Sequence, residues 1–175
     1  LPAIEADLPT ANVQAYSIDD SQTTEIDDAL SVQGLGTGTV TLGIHIAAPG
    51  LAITPDSAID QLGRQRLSAV YMPGYKITML PDEVVQTYTL QEGRACPAVS
   101  LYVTLDEATL APQRTETRIE LVPIAANLRH DQLDTVVTEA WLLDATFAHP
   151  AGTAEPAMPR QELSFLFRLA RDRKS

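Results

Sequence analysis

Cysteine is almost absent: Cys96 is the one copy in 175 residues. An internal disulfide is therefore excluded, and a reducing compartment is the natural setting. Long apolar runs are also missing. The stretch LGIHIAAPGLAI is broken by His45, Pro49 and Gly50 and is too short to span a bilayer. No basic, apolar leader pattern opens the chain, so a soluble, cytoplasmic protein is expected. Cations are scarce, with 12 Lys and Arg against 23 Asp and Glu and a net charge of −11. That balance argues against a generic nucleic-acid coat, which usually leaves a basic footprint. The sign is not uniform, because Arg160, Arg168, Arg171, Arg173 and Lys174 gather near the C-terminal end.

What is present is enough apolar material, 45% of the residues, for one domain with a real core. Residues 1–13 hold prolines and no sustained period and read as a lead-in segment. VQAYSI is β-prone and should deliver Asp19 at a strand end. A second strand, a turn at Gly34, Gly36 and Gly38, and a third strand should follow. Val40, Leu42, Ile44 and Ile46 alternate along that third strand, which predicts one buried face. The glycines are not a phosphate loop, since no Gly-Lys-Ser/Thr follows them.

Further along, a helix is expected after a cap at Thr54 or Asp56, with Ile59 and Leu62 on its apolar side. YMPGYKITMLPDEVV reads as a loop. AVSLYVTLD and TETRIELVPIAA read as two strands around a turn containing Pro112. Residues 130–147 read as one helix, with Leu133, Val136, Val137, Ala140 and Trp141 on one side. After a linker at 149–159, an amphipathic helix should pack Leu163, Phe165, Leu166, Phe167 and Leu169. The fold class expected is α+β, with a mixed or antiparallel sheet and flanking helices.

The densest chemistry lies in SIDDSQTTEIDDAL, residues 17–30, where Asp19, Asp20, Glu25, Asp27 and Asp28 crowd beside Ile18 and Ile26. Like charges this close repel by roughly 4 kcal/mol per pair at intermediate dielectric, so a cation or protons must compensate. All-oxygen donors favour magnesium, manganese or calcium over zinc. An EF-hand is excluded: from Asp19, the sixth position is Thr24, not glycine, and the twelfth is Leu30, not glutamate. Spacing leaves two readings open, a magnesium site for phosphate chemistry and a structural acidic loop.

The same stretch resembles the active-site motif of the ribonuclease II and ribonuclease R family, the RNB-type exoribonucleases, in which Ile-Asp and a short spacer precede Asp-x-Asp-Asp-Ala-Leu. LGIHIAAPGLAITPDSAIDQLGRQRLSAVYMPG, ITMLPDEV and YTLQEGRACPAVSLYVTLD follow in the family's order, and residues 14–135 align in this way. The resemblance implies Mg2+-dependent hydrolysis of single-stranded RNA from its 3′ end, releasing nucleoside 5′-monophosphates. It makes Asp19, Glu25, Asp27 and Asp28 the catalytic set, with Asp19, Asp28 and Asp27 at the metal. It also makes Tyr71 a base-stacking residue and His130 a candidate for RNA contact; Arg66 reads equally as an RNA contact and as a structural salt bridge. Asp20 is left to solvent.

Three departures stand out. Glu25 occupies a usual aspartate position, Ala48 replaces a frequent aspartate, and His130 replaces a frequent tyrosine. The family's catalytic domain is about twice this span. Residues 14–175 are therefore expected to be its N-terminal half, within a protein that is monomeric at full length. A non-catalytic RNA-binding protein on the same scaffold is the rival. Among the other residues, His45 reads as packed, His149 as exposed and Cys96 as a core thiol.

Overall fold

The computed structural model describes residues 7–143 and 156–174. Its centre is a closed five-stranded barrel in the order β1 (Ala15–Asp19), β2 (Asp28–Gln33), β3 (Thr39–Ala47), β6 (Ala95–Asp106) and β7 (Pro112–Arg129). Each neighbouring pair is antiparallel except β7 and β1, which close the barrel in parallel. The α+β reading holds, and closure adds what alternation alone does not reveal.

Five strands enclose a narrower lumen than the ~8 that leave room for ordinary side chains. The inward positions are accordingly small: Ala15, Ser17, Ala29, Ser31, Gly43, Ala98 and Ser100. Two larger groups share this space. His45 is fully buried between Ser31 Oγ (2.8 Å) and Ser100 Oγ (2.8 Å). Tyr102 donates to Glu120 at 2.6 Å and meets the His45 ring edge-on. Burial lowers the His45 pKa to about 4, so the imidazole is neutral at physiological pH. Gly43 makes the arrangement possible, since a Cβ there would lie 2.3 Å from Ser31 Oγ. His45 is thus packed as expected, and Cys96 is likewise buried.

Among the described residues, α4 (Glu139–Leu143) and α5 (Arg160–Lys174) cover the outer barrel face on one side. Val40 and Leu42 are buried with Trp141 of α4 and Leu163 and Phe165 of α5. The cover ends along β3, so Ile44 is half-buried and Ile46 is 46% exposed, against the expectation of one buried face. On α5, Leu163 and Phe165 are buried and Leu166 and Leu169 pack against the same cluster, as expected, whereas Phe167 is half-buried outside it.

Several boundaries move for local reasons. Part of the lead-in segment joins the barrel: Leu121 N–H donates to the Pro9 carbonyl, and Ala11 and Val13 are buried. Ser57, not Thr54 or Asp56, caps α1 (Ala58–Arg66), its Oγ accepting from Asp60 N–H. The expected loop at 71–85 is a hairpin, β4 (Val70–Met72) and β5 (Tyr75–Ile77), followed by α2 (Asp82–Tyr88). Pro73 and Gly74 make its two-residue turn, with Gly74 at φ 75°. The expected helix at 130–147 divides into α3 (His130–Asp134) and α4. Thr135-Val136-Val137-Thr138 interrupts it, because four consecutive β-branched residues resist helix, and Thr138 Oγ1 accepts from Trp141 N–H. His149 and residues 144–147 lie outside the described residues. No helix among those described is long and apolar enough to cross a membrane.

Candidate active site

The barrel has one acidic rim. Asp19 ends β1 beside Arg129 at the end of β7, and Asp28 begins β2 opposite Ile46 of β3. The loop between β1 and β2 is fixed by its apolar member. Ile26 is buried in the core, its N–H donates to Thr89 Oγ1 (2.7 Å), and its carbonyl accepts from Leu90 N–H. Burying Ile26 leaves Glu25 and Asp27, on either side of it, lining a pocket of about 270 Å³. Ile18 likewise packs toward the helices. The apolar residues among the acids are thus anchors that hold carboxylates at the surface.

Asp27 is the electrostatic centre of the group. Withheld solvent raises its carboxyl pKa first, and Glu25, Asp28 and Asp19 raise it further, while Lys76 opposes them. Asp27 is itself exposed, so solvent screens much of this repulsion. Asp19 Oδ2 is buried and accepts no hydrogen bond. A buried carboxylate oxygen without a donor is costly, and a hard cation is the partner its chemistry fits. The side chains are not arranged as a finished cage: among the described residues, no three acids, histidines or cysteines stand ready to hold an ion. Asp20 is exposed, as expected.

Two cations that the sequence reading passed over brace this loop. Arg129 Nη1 donates to the carbonyls of Asp20 (2.9 Å) and Thr23 (3.1 Å). Lys76 Nζ stands 3.1 Å from Glu25 Oε2 and 3.0 Å from Thr24 Oγ1. In a chain with 23 acids and 12 cations, a lone basic residue beside the PG turn was the available signal.

Tyr71 borders the same pocket as Glu25 and Asp27 and is 71% exposed, so a ring face is available. Arg66 donates to the Thr78 carbonyl at 2.8 Å, which ties α1 to the segment after β5. His130 is exposed at the start of α3, one residue beyond Arg129. The structure thus brings Asp19, Glu25, Asp27, Asp28 and Tyr71 to one end of the barrel and gives Arg66 a structural bond.

The RNB domain model matches residues 9–174, which is nearly all of the chain. The chain belongs to the RNB family. A ribonuclease of Synechocystis, itself uncharacterized, is 40% identical over 113 residues, covering 61% of this chain and 17% of its own length. Ribonuclease II of Arabidopsis chloroplasts and mitochondria is 35% identical over 99 residues, covering 56% and 12%. The RNB chain described here is thus a small fraction of such relatives' length. Among solved structures, Mycoplasma genitalium RNase R in complex with double-stranded RNA superposes with a TM-score of 0.74 at 19% identity, covering 95% of this chain and 28% of that one. Yeast Ssd1, described as a pseudonuclease, gives 0.74 at 24%, covering 95% and 19%. Identities this low establish the RNB fold alone.

Proposed function

We propose that the protein carrying this chain is a cytoplasmic, monomeric exoribonuclease that hydrolyses single-stranded RNA from its 3′ end with Mg2+ and releases nucleoside 5′-monophosphates. The observation that carries the reading is the buried, donorless Asp19 Oδ2 beside an Asp27 carboxyl crowded by three others. Asp19, Asp27 and Asp28 would hold the ion, which when bound supplies charge neutralisation at a phosphoryl oxygen and an activated water. Glu25 faces the same pocket. The Ile26 anchor keeps Glu25 and Asp27 at the pocket, and Tyr71 offers its ring to a terminal base. Stacking of that kind is worth about 1–3 kcal/mol per base. Membership of a family whose relatives are named ribonucleases supports this reading.

A second reading, RNA binding without cleavage, is favoured by Glu25 being engaged by Lys76, by Ala48 at the rim, and by the likeness to a pseudonuclease. One assay separates the two: the whole protein is incubated with a 5′-labelled single-stranded RNA in Mg2+ or in EDTA. Progressive shortening with Mg2+ alone, with mononucleotide product, supports the enzyme. Binding without shortening supports the rival.

A further inference from the structure

Lys76 lies directly across from Tyr71 in the β4–β5 hairpin, so the two side chains share one face of it. That face looks onto the acidic loop, where Lys76 meets Glu25 and Thr24, and Tyr71 borders the pocket. The opposite face carries Val70, Met72, Tyr75 and Ile77, all exposed, so the hairpin's own side chains do not hold it in place; its C-terminal end alone is anchored, where Thr78 is buried and its carbonyl accepts from Arg66. A two-stranded hairpin is marginal without such support. The ion pair is better placed than most on a surface, with side-chain exposures of 34% for Lys76 and 11% for Glu25.

We propose that Lys76 is a positioning residue: it clamps the hairpin to the acidic loop, which holds the Tyr71 ring over the pocket. It also occupies Glu25, so that cation binding falls to Asp19, Asp27 and Asp28. The effect on RNA rests on the function proposed above; the clamp itself does not. Glu25 suits this role, since its side chain reaches one methylene further than an aspartate would toward the ammonium on the hairpin.

The test uses the whole protein with Lys76→Met, which keeps the apolar stem and removes the charge, and with Lys76→Arg, which keeps the charge. Amide hydrogen exchange read by mass spectrometry should accelerate about tenfold or more in residues 21–26 and 70–77 of Lys76→Met, with the barrel strands unchanged. Lys76→Arg should restore most of the protection. With a short RNA end, KM should rise about tenfold and by more than any fall in kcat, because the ring is no longer held over the pocket. Unchanged exchange in both segments overturns the clamp, as does equal acceleration throughout the barrel. If the wild type degrades no RNA, the enzyme reading fails and the exchange measurement still decides the clamp. Should Lys76→Met not fold, Glu25→Gln cuts the same pair from the other side and must accelerate the same two segments.

Discussion

Inside the barrel, His45 has a hydroxyl on each ring nitrogen at 2.8 Å and Tyr102 has Glu120 at 2.6 Å. At the rim, Asp19 Oδ2 is buried with no donor, and Asp27 shares its surroundings with three other carboxylates. Both regions place polar groups next to apolar neighbours, but only the interior satisfies them. A satisfied buried network rigidifies a fold and is expensive to disturb. A frustrated one is retained only where something else completes it, and like-charge crowding at a cleft is the usual sign of a binding or catalytic site. The comparison predicts that changes inside the barrel cost folding, whereas changes at the rim cost function and leave folding intact.

The largest folding effect should come from Gly43→Ala. The new methyl would press on Ser31 Oγ and His45 Nε2 together, so a loss on the order of 3 kcal/mol is expected from overpacking and broken hydrogen bonds. Gly50→Ala, which meets nothing within 4 Å, is the control and should be near neutral in the same denaturant titration. Equal effects at the two positions would break the contrast.

His45 comes next. Its folded pKa, about 4, lies below the ordinary 6.5, so the unfolded chain takes up the proton first as pH falls. Stability from the neutral imidazole is complete above the unfolded value and is lost between it and the folded value. The drop from pH 7 to pH 5 should be about 2 kcal/mol in the wild type. Unfolding midpoints at the two pH values measure it. A pH-independent midpoint would show that the histidine is not held neutral.

Tyr71→Ala should weaken binding of short single-stranded RNA ends by about 1–2 kcal/mol, and of long RNA much less, with no change in melting temperature. Equal loss at every length would remove the residue from the pocket's function. The smallest effect is on stability at the rim. The Asp27 carboxyl is raised above its ordinary value by withheld solvent and the neighbouring carboxylates, so its ionised form opposes folding increasingly as pH rises from the unfolded value through the folded one. Asp27→Asn should therefore gain no more than about 1 kcal/mol at pH 7 after solvent screening. The gain should vanish at acid pH, where the wild type is protonated too. Destabilisation at pH 7 would make the cluster structural.

The sequence made the strands and the acidic loop legible because their signals are local: alternation, glycine turns, and carboxylates crowded beside two isoleucines. Barrel closure was hidden because the parallel pairing of β1 with β7 joins residues more than a hundred positions apart. The hairpin at 70–77 looks like loop in the sequence because its strands have three residues each and neither face shows a buried alternation. The split of α3 from α4 was present in the run of β-branched residues but was outweighed by the apolar spacing around it. At the site, motif order points to the acids and Tyr71, whereas Lys76 and Arg129 are placed by tertiary structure, and no spacing rule connects them to residues 20–25.

The central claim is that the rim carboxylates serve chemistry and not folding. The direct measurement is RNA turnover by the whole protein carrying Asp27→Asn in saturating Mg2+, alongside RNA affinity and melting temperature. The expected result is a fall in turnover of about three orders of magnitude, about 4 kcal/mol of barrier. RNA affinity should be kept or tightened and the melting temperature kept or raised, because one repelling charge has gone. Turnover near the wild-type rate, with Asp27 neutralised, would contradict the account.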